Sequence, residues 1–234
     1  MGTLALFRNF RIQAGQDCEQ NLRKCYAEIE MDTQGHWEQV YGTKAATEVS
    51  WFRPHLDTSL SLVERVARDS NASIIDVGGG ESTLIDDLID KGYRNVTVLD
   101  ISRTAIEHTQ QRLAAASSDV NWLTGNILKV ALPTHSYDVW HDRAVFHFLT
   151  EPVQRREYVR QVISAVKPGG HIIVGTFGLS GPKKCSGLDV MQYDADSLHA
   201  EFGGRFRLME STEELHGTPF GTTQQFVYCY CIVE

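Results

Sequence analysis

Residues Ser73–Leu84 read SIIDVGGGESTL, three consecutive glycines set directly behind an apolar run. Glycines in series cost conformational entropy on folding, so something at this point requires bare backbone. Ser73–Val77 reads as a strand buried on both faces, because its apolar run is nearly continuous. The following stretch, Ser82 to about Lys91, reads as a helix that stops at Gly92. Strand, glycine loop and helix in that order bring unpaired N–H groups to the carboxyl end of a strand. Open α/β sheets bind their ligands there.

The alternation continues downstream. Strands are expected over Val96–Asp100, Asn121–Thr124, Tyr137–His141 and His171–Phe177. Helices are expected over Arg103–Ser117 and Glu151–Val166, the latter with Pro152 in its first turn, where proline is tolerated. Lys167–Gly170, KPGG, reads as a turn. Upstream, Gln16–Met31 and the stretch from Asp57 or Thr58 to Arg68 have helical apolar spacing. Such alternation predicts an α/β fold, a doubly wound, mostly parallel sheet with helices on both faces. The tail differs: Phe206–Leu215 and Phe226–Val233 have no helix between them, which predicts an antiparallel pair at the sheet edge. The chain divides into an N-terminal helical or lid segment, 1–56, and one α/β domain, 57–234.

Composition narrows the partners. A chain of 234 residues, 42% hydrophobic and 22% charged, has the make-up of a globular protein with a sizeable core. A net charge of -8 argues against a nucleic-acid surface. The five cysteines, odd in number and without a CxxC pair, suit neither a disulfide framework nor a metal site, and point to a reducing, cytoplasmic setting. No apolar run reaches the roughly 20 residues of a membrane span. The start, MGTLALFRNFRI, has a faint transit-peptide character but reads better as a short amphipathic leader. Leu6 stands where myristoylation after Gly2 wants Ser or Thr.

Two familiar ligand patterns fit the glycine loop poorly. A dinucleotide fingerprint would need a third glycine where Thr83 stands, which disfavours a NAD-dependent dehydrogenase, and a phosphate loop would need a lysine that is missing. Asp76, Gly78, Gly80 and Ser82 instead fill an acid-x-Gly-x-Gly-x-Gly/Ser pattern. An acid two residues before the first glycine repels pyrophosphate and suits a ligand bearing an amine or a positive charge. Asp100 ends the second strand about 20 residues further on, where a carboxylate can accept both hydroxyls of a ribose.

IIDVGGGEST, VTVLDIS, GNI, YDVWHDRAVF and VKPGGHIIVGTF, in this order, resemble the motifs of class I S-adenosylmethionine-dependent methyltransferases over roughly Ser73–Phe177. The resemblance implies a seven-stranded Rossmann-like sheet with the antiparallel pair at its C-terminal edge. It also implies S-adenosyl-L-methionine as cofactor, with S-adenosyl-L-homocysteine as product. Asp76, Gly78, Gly79 and Gly80 then hold the cofactor, with Asp100 on the ribose and Ile101 on the adenine face. Asn126, where the family often has Asp, and the backbone of Ile127 meet the adenine edge. His141 falls beside the methionine portion.

Methyl transfer is an in-line displacement in which alignment supplies much of the rate, so an obligatory base need not exist. After the fourth strand, the Asp142–Arg143 pair resembles the corresponding step of thiopurine and related thiol methyltransferases, and some protein-lysine methyltransferases have a similar Asp-Lys pair there. Asp142 and Arg143 are therefore the candidate catalytic pair at the start of an apolar helix. Phe146 and His147 follow them as candidate substrate contacts. Upstream, Trp37 and Trp51 are expected to close over the cofactor, and Tyr41 and Phe52 over the acceptor. Cys185, in the glycine-rich stretch after the fifth strand, is a soft side chain that can touch an acceptor or stand by. Cys229 and Cys231 share one strand face.

The expected activity is methyl transfer to a small molecule, with a thiol or other soft nucleophile favoured. The alternatives are a protein-lysine acceptor, or a non-catalytic protein that binds the cofactor. Base methylation is disfavoured: HDRA stands where an Asn-Pro-Pro-Tyr-like motif belongs. No metal, nucleic acid or membrane partner is expected.

Overall fold

The computed structural model describes residues 33–234. The helix expected over Gln16–Met31, Cys18, Cys25 and the leader lie outside them. Seven strands, β1 (Ile74–Val77), β2 (Val96–Asp100), β3 (Val120–Thr124), β4 (Tyr137–Arg143), β5 (Val166–Phe177), β8 (Phe206–Gly217) and β9 (Thr223–Val233), form one sheet in the order β3-β2-β1-β4-β5-β9-β8. The first five run parallel; β9 pairs antiparallel with both β5 and β8. The small strands β6 (Lys184–Cys185) and β7 (Leu188–Asp189) make a separate hairpin.

Consecutive strand residues go to opposite faces, as the period of two demands. Ile74, Val98, Val139 and Ile173 pack with Leu62 and Val63 of α2 (Asp57–Val66) and Leu84, Ile85 and Leu88 of α3 (Leu84–Asp90). Ile75, Leu99, Trp140 and Ile172 pack with Tyr158 and Val162 of α5 (Pro152–Ala165) and Leu198 and Phe202 of α6 (Ala195–Phe202). Each such side chain, wholly buried, contributes on the order of 1.5–3 kcal/mol. Trp140 also donates its indole N–H to the Tyr158 hydroxyl at 2.9 Å, so no polar atom of the pair is stranded. α4 (Arg103–Leu113) begins at Ser102, whose hydroxyl caps the Ala105 N–H.

Several expectations need correction. The apolar helix expected after β4 is a single 3-10 turn, Phe146–Phe148. Ala144 precedes it at φ 73, a left-handed backbone that ends strand geometry and prevents a longer helix from starting. The KPGG turn is absorbed into β5, whose pairing with β4 shifts register between Tyr137 and Val139 to accommodate it. A helix over 33–43, here α1, and the helix α6 had no strong periodic signal. Cys229 and Cys231 are buried in β9 as expected, and with Cys185 they are free thiols. Among the described residues, no helix is long and apolar enough to cross a membrane.

Candidate active site

The strand order reverses between β2-β1 and β4-β5, so the crevice opens at the carboxyl ends of β1 and β4. A cavity of about 470 Å³ lies there. Gly78, Asp100, Ile101, Asn126 and Ile127 line it, as do Trp37, Tyr41, Trp51 and Arg143. Nine of the residues singled out from sequence thus meet around one space, although 37 and 143 are far apart in the chain.

The glycines have separate reasons. Gly78 lines the cavity at φ 73, and a Cβ there would run into the Val145 side chain. Gly79 and Gly80 face inward instead. A Cβ on Gly79 would collide with the Asp76 carboxylate, and one on Gly80 would come within 2.6 Å of both Ala105 and Asp100. Two of the three glycines therefore make room for the protein's own carboxylates. The Gly80 N–H donates to Asp100 Oδ2 at 2.9 Å and the Ser102 N–H to Oδ1 at 2.8 Å. Burial pushes the Asp100 pKa up to about 6, against the pull of these two donors. Asn126 turns its side-chain oxygen onto the Leu128 N–H at 2.9 Å, which shapes the loop after β3.

Asp76 and His141 line a smaller chamber of about 50 Å³ that shares Tyr41, Trp51, Gly78 and Arg143 with the main cavity. His141 Nδ1 bonds Asp76 Oδ1 at 2.7 Å and its Nε2 bonds the Ser59 hydroxyl at 2.9 Å. Asp76 Oδ2 is buried without a hydrogen-bond partner. A buried orphan oxygen is costly unless a ligand completes it, so this atom suits a donor such as an ammonium. Phe52 lines only this chamber, not the main cavity.

One flank of the main cavity is aromatic. Trp37 stacks on Tyr41 at 5.9 Å and meets Trp51 and Phe148 edge-on at 5.8 and 5.2 Å. Phe177, Val145 and Cys185 continue the wall. Burial pushes the Cys185 thiol up to about 12, so it stays neutral, and holds the Tyr41 phenol well above its usual value. α1 is held over the site by Glu38. Its carboxylate accepts from the Arg103 N–H (2.7 Å), the Thr104 N–H (3.1 Å) and the Ser102 hydroxyl (2.8 Å). Partial burial raises the Glu38 pKa, but these bonds outweigh it and hold the carboxyl below the usual range. An acid at a helix N-terminus is favoured in any case.

Three sequence candidates fall in the core, and a fourth is taken up by the sheet edge. Asp142 is wholly buried and lines neither cavity. It accepts from the Val145 N–H at 2.9 Å, the Phe146 N–H at 3.1 Å and the Tyr158 hydroxyl at 2.5 Å, so its carboxylate fastens the turn after β4. Phe146 packs in the core against Tyr158, Tyr193 and Phe202. His147 is also buried; burial, then the Arg143 charge, pushes its pKa down to about 3, and its Nδ1 accepts from the Phe177 N–H at 3.3 Å. Arg143 does line the cavity, but its guanidinium is taken up by the sheet edge: Nε donates to the Tyr228 hydroxyl at 2.9 Å, Glu214 lies 3.7 Å away, and the Phe226 ring is 4.2 Å from Cζ. Sequence reasoning missed Glu38, Ser59, Phe148 and Phe177. Only Phe148 and Phe177 left a trace, as aromatics shortly beyond one strand and at the end of another.

A profile described as a methyltransferase domain matches residues 74–170. EEF1A lysine methyltransferase 2 of Danio rerio is 24% identical over 174 residues, covering 68% of this chain and 75% of that protein. In fold, the chain is similar to a protein solved in work on the conversion of a disulfide bond into a thioacetal group during echinomycin biosynthesis. That likeness has a TM-score of 0.70 at 17% identity and covers 86% of this chain and 92% of the other. It is also similar to 1,6-didemethyltoxoflavin-N1-methyltransferase of Burkholderia thailandensis, solved with its substrate and S-adenosylhomocysteine. Here the TM-score is 0.60 at 15% identity, with 93% and 89% covered. The site fits that cofactor on its own evidence: a strand-end carboxylate in the cavity wall, an orphan acid oxygen beside it, and an apolar flank of Leu99, Ile101 and Ile127. Matched domain, doubly wound sheet and this donor set agree: the chain carries a methyltransferase domain over residues 74–170, has the Rossmann-like methyltransferase fold and is an S-adenosylmethionine-dependent methyltransferase.

Proposed function

We propose that the protein methylates a small molecule through a soft nucleophilic atom, a thiol foremost, enclosed between the β4 and β5 strand ends and residues 33–53. The observation that carries this is the wall itself. Trp37, Tyr41, Trp51, Phe148 and Phe177 surround an apolar space whose thiol is neutral. Among the described residues, the acidic side chains lining the cavity are Asp100 and Glu157. Glu157 is paired with Arg160 and stands four residues before Gln161, which bonds Val130 O, so it belongs to the side of the loop after β3. A lysine ammonium entering the aromatic half would find no carboxylate to neutralise it, and an unpaired buried charge is expensive.

When bound, S-adenosylmethionine supplies an electrophilic methyl on a cationic sulfur. Asp100 would accept the two ribose hydroxyls, Asn126 and the Ile127 backbone would meet the adenine edge, and Asp76 Oδ2 would accept from the amino group. Gly78 leaves the floor open. The aromatic wall excludes water and favours the neighbouring positive charge. Asp142 and His147 are both turned into the core, so neither is placed to take a proton from the acceptor. A thiolate or another atom with its lone pair already free meets that condition. The fold likeness to a protein of disulfide-to-thioacetal conversion accords with sulfur chemistry.

A second reading, a protein lysine as acceptor, is favoured by the similarity to EEF1A lysine methyltransferase 2. An aromatic wall also suits a cation. The two separate in one assay: S-adenosylhomocysteine release with a panel of small thiols and with lysine-bearing protein substrates. Turnover with thiols alone supports the proposal; turnover with protein alone overturns it.

A further inference from the structure

The β8–β9 hairpin lies far from the cofactor strands in the sheet order, yet it reaches the acceptor wall. His216, wholly buried near the hairpin tip, bonds Ser50 O through Nε2 at 2.7 Å. Its Nδ1 faces Arg143 Nη2 at 3.3 Å. Because Arg143 can only donate, His216 Nδ1 is the acceptor and Nε2 carries the proton. Arg143 Nη1 in turn donates to Trp51 O at 3.4 Å. Two successive carbonyls, those of Ser50 and Trp51, are thus held by two side chains that are themselves bonded to each other. Phe226 packs on both, under the guanidinium at 4.2 Å and edge-on to His216 at 5.8 Å. Tyr228 and Glu214 complete the seat. The side chain that this clamp aims is the Trp51 indole, which meets Trp37 at 5.8 Å and Tyr41 at 6.4 Å in the cavity wall.

We propose that His216 and Arg143 are positioning residues that set the Trp51 wall of the acceptor cavity, so that the sheet-edge hairpin decides the size of the acceptor space. Arg143 acts through the Trp51 backbone rather than on an acceptor anion. Among the described residues, no other hydrogen bond reaches these two carbonyls; the segment 49–53 is also tied by the Phe52 N–H to Val49 O, the Thr83 hydroxyl to Arg53 O, the Arg53–Asp57 ion pair and the Trp51 ring contacts. The consequence for acceptor choice rests on the reading of the cavity given above; the geometry of the clamp does not.

The test is amide hydrogen exchange on the full chain, with and without S-adenosylhomocysteine, in His216→Ala and His216→Gln. Glutamine can place its amide N–H near the position of Nε2 and so restore the bond to Ser50. His216→Ala is expected to speed exchange over 45–56 about tenfold, the scale of one lost buried hydrogen bond, with β1 and β4 unchanged and with recovery in His216→Gln. Should His216→Ala not fold, Arg143→Lys, which keeps the charge but loses the fork, carries the same expectation. Unchanged exchange over 45–56 in a folded variant overturns the proposal. So does an equal rise in β1 and β4, which would mark general destabilisation. Because the readout needs no acceptor, it stands or falls separately from the thiol assignment.

Discussion

At the scale of single residues, Asp100 is the decisive group. Its carboxylate already accepts two backbone N–H groups and still faces the cavity, so it has lone pairs left for two hydroxyls. Asp100→Ala should weaken S-adenosylhomocysteine binding about tenfold or more, because a hydrogen bond to a charged group contributes about 1.5–3 kcal/mol. Titration calorimetry reads this directly, and wild-type affinity in the folded variant would remove the ribose assignment. The raised pKa adds a pH signature. Only the ionised form accepts both hydroxyls, and hydroxyl donors favour that form, so the complex has the lower pKa. Affinity is then full above the free value of about 6 and falls below it, by about tenfold at a pH one unit lower. Asp142 behaves oppositely. Asp142→Ala leaves buried N–H groups and a buried phenol without an acceptor, and should lower stability by about 1–3 kcal/mol for each donor stranded. Denaturant unfolding checks it; full stability with abolished turnover would return Asp142 to the chemistry.

At the scale of elements, the β1–α3 loop and α1 matter most. Gly78→Ala puts a Cβ into Val145 and an L-residue at φ 73. It should reduce both stability and cofactor affinity, and Val145→Ala on top should recover part of the packing loss but none of the backbone strain. Thermal unfolding of the single and double variants separates the two. α1 hangs on Glu38. With its folded pKa below the unfolded one, the anchor is present above the ordinary glutamate range and is lost as pH falls through the lowered value. Glu38→Ala should open 33–56 to limited proteolysis while leaving the sheet intact; an unchanged cleavage pattern would mean that the aromatic stack alone holds the helix.

At the scale of the whole molecule, binding and folding are linked. A ligand that spans β1, β2, β3 and residues from α1 binds only the folded chain. At a hundredfold excess over its dissociation constant, S-adenosylhomocysteine should add about 2.7 kcal/mol of stability, a rise of roughly 5–10 °C in Tm for a chain of this size. A thermal shift series checks it, and a flat response would contradict the cofactor site.

What the chain order alone determined was the glycine-loop half of the site. IIDVGGGEST and VTVLD could be read because strand-end chemistry is local: the loop that follows each strand stays beside it, so Asp76, Gly78, Asp100 and Asn126 meet whatever else the fold does. Apolar runs of β-strand length and the missing helix between Phe206 and Val233 were enough for the sheet. The acceptor half was decided only in three dimensions. Asp142 and His147 look like catalytic side chains in sequence, but Ala144 turns the backbone and buries both. Arg143 looks like an anion holder until β8 and β9 arrive to occupy it. Glu38, Ser59 and His216 have no motif, because their roles depend on distant elements meeting: Glu38 on the start of α4, Ser59 on β4, His216 on the segment before α2. Burial and hydrogen-bond saturation are tertiary quantities, and they decide which of the reactive-looking residues remains free to act.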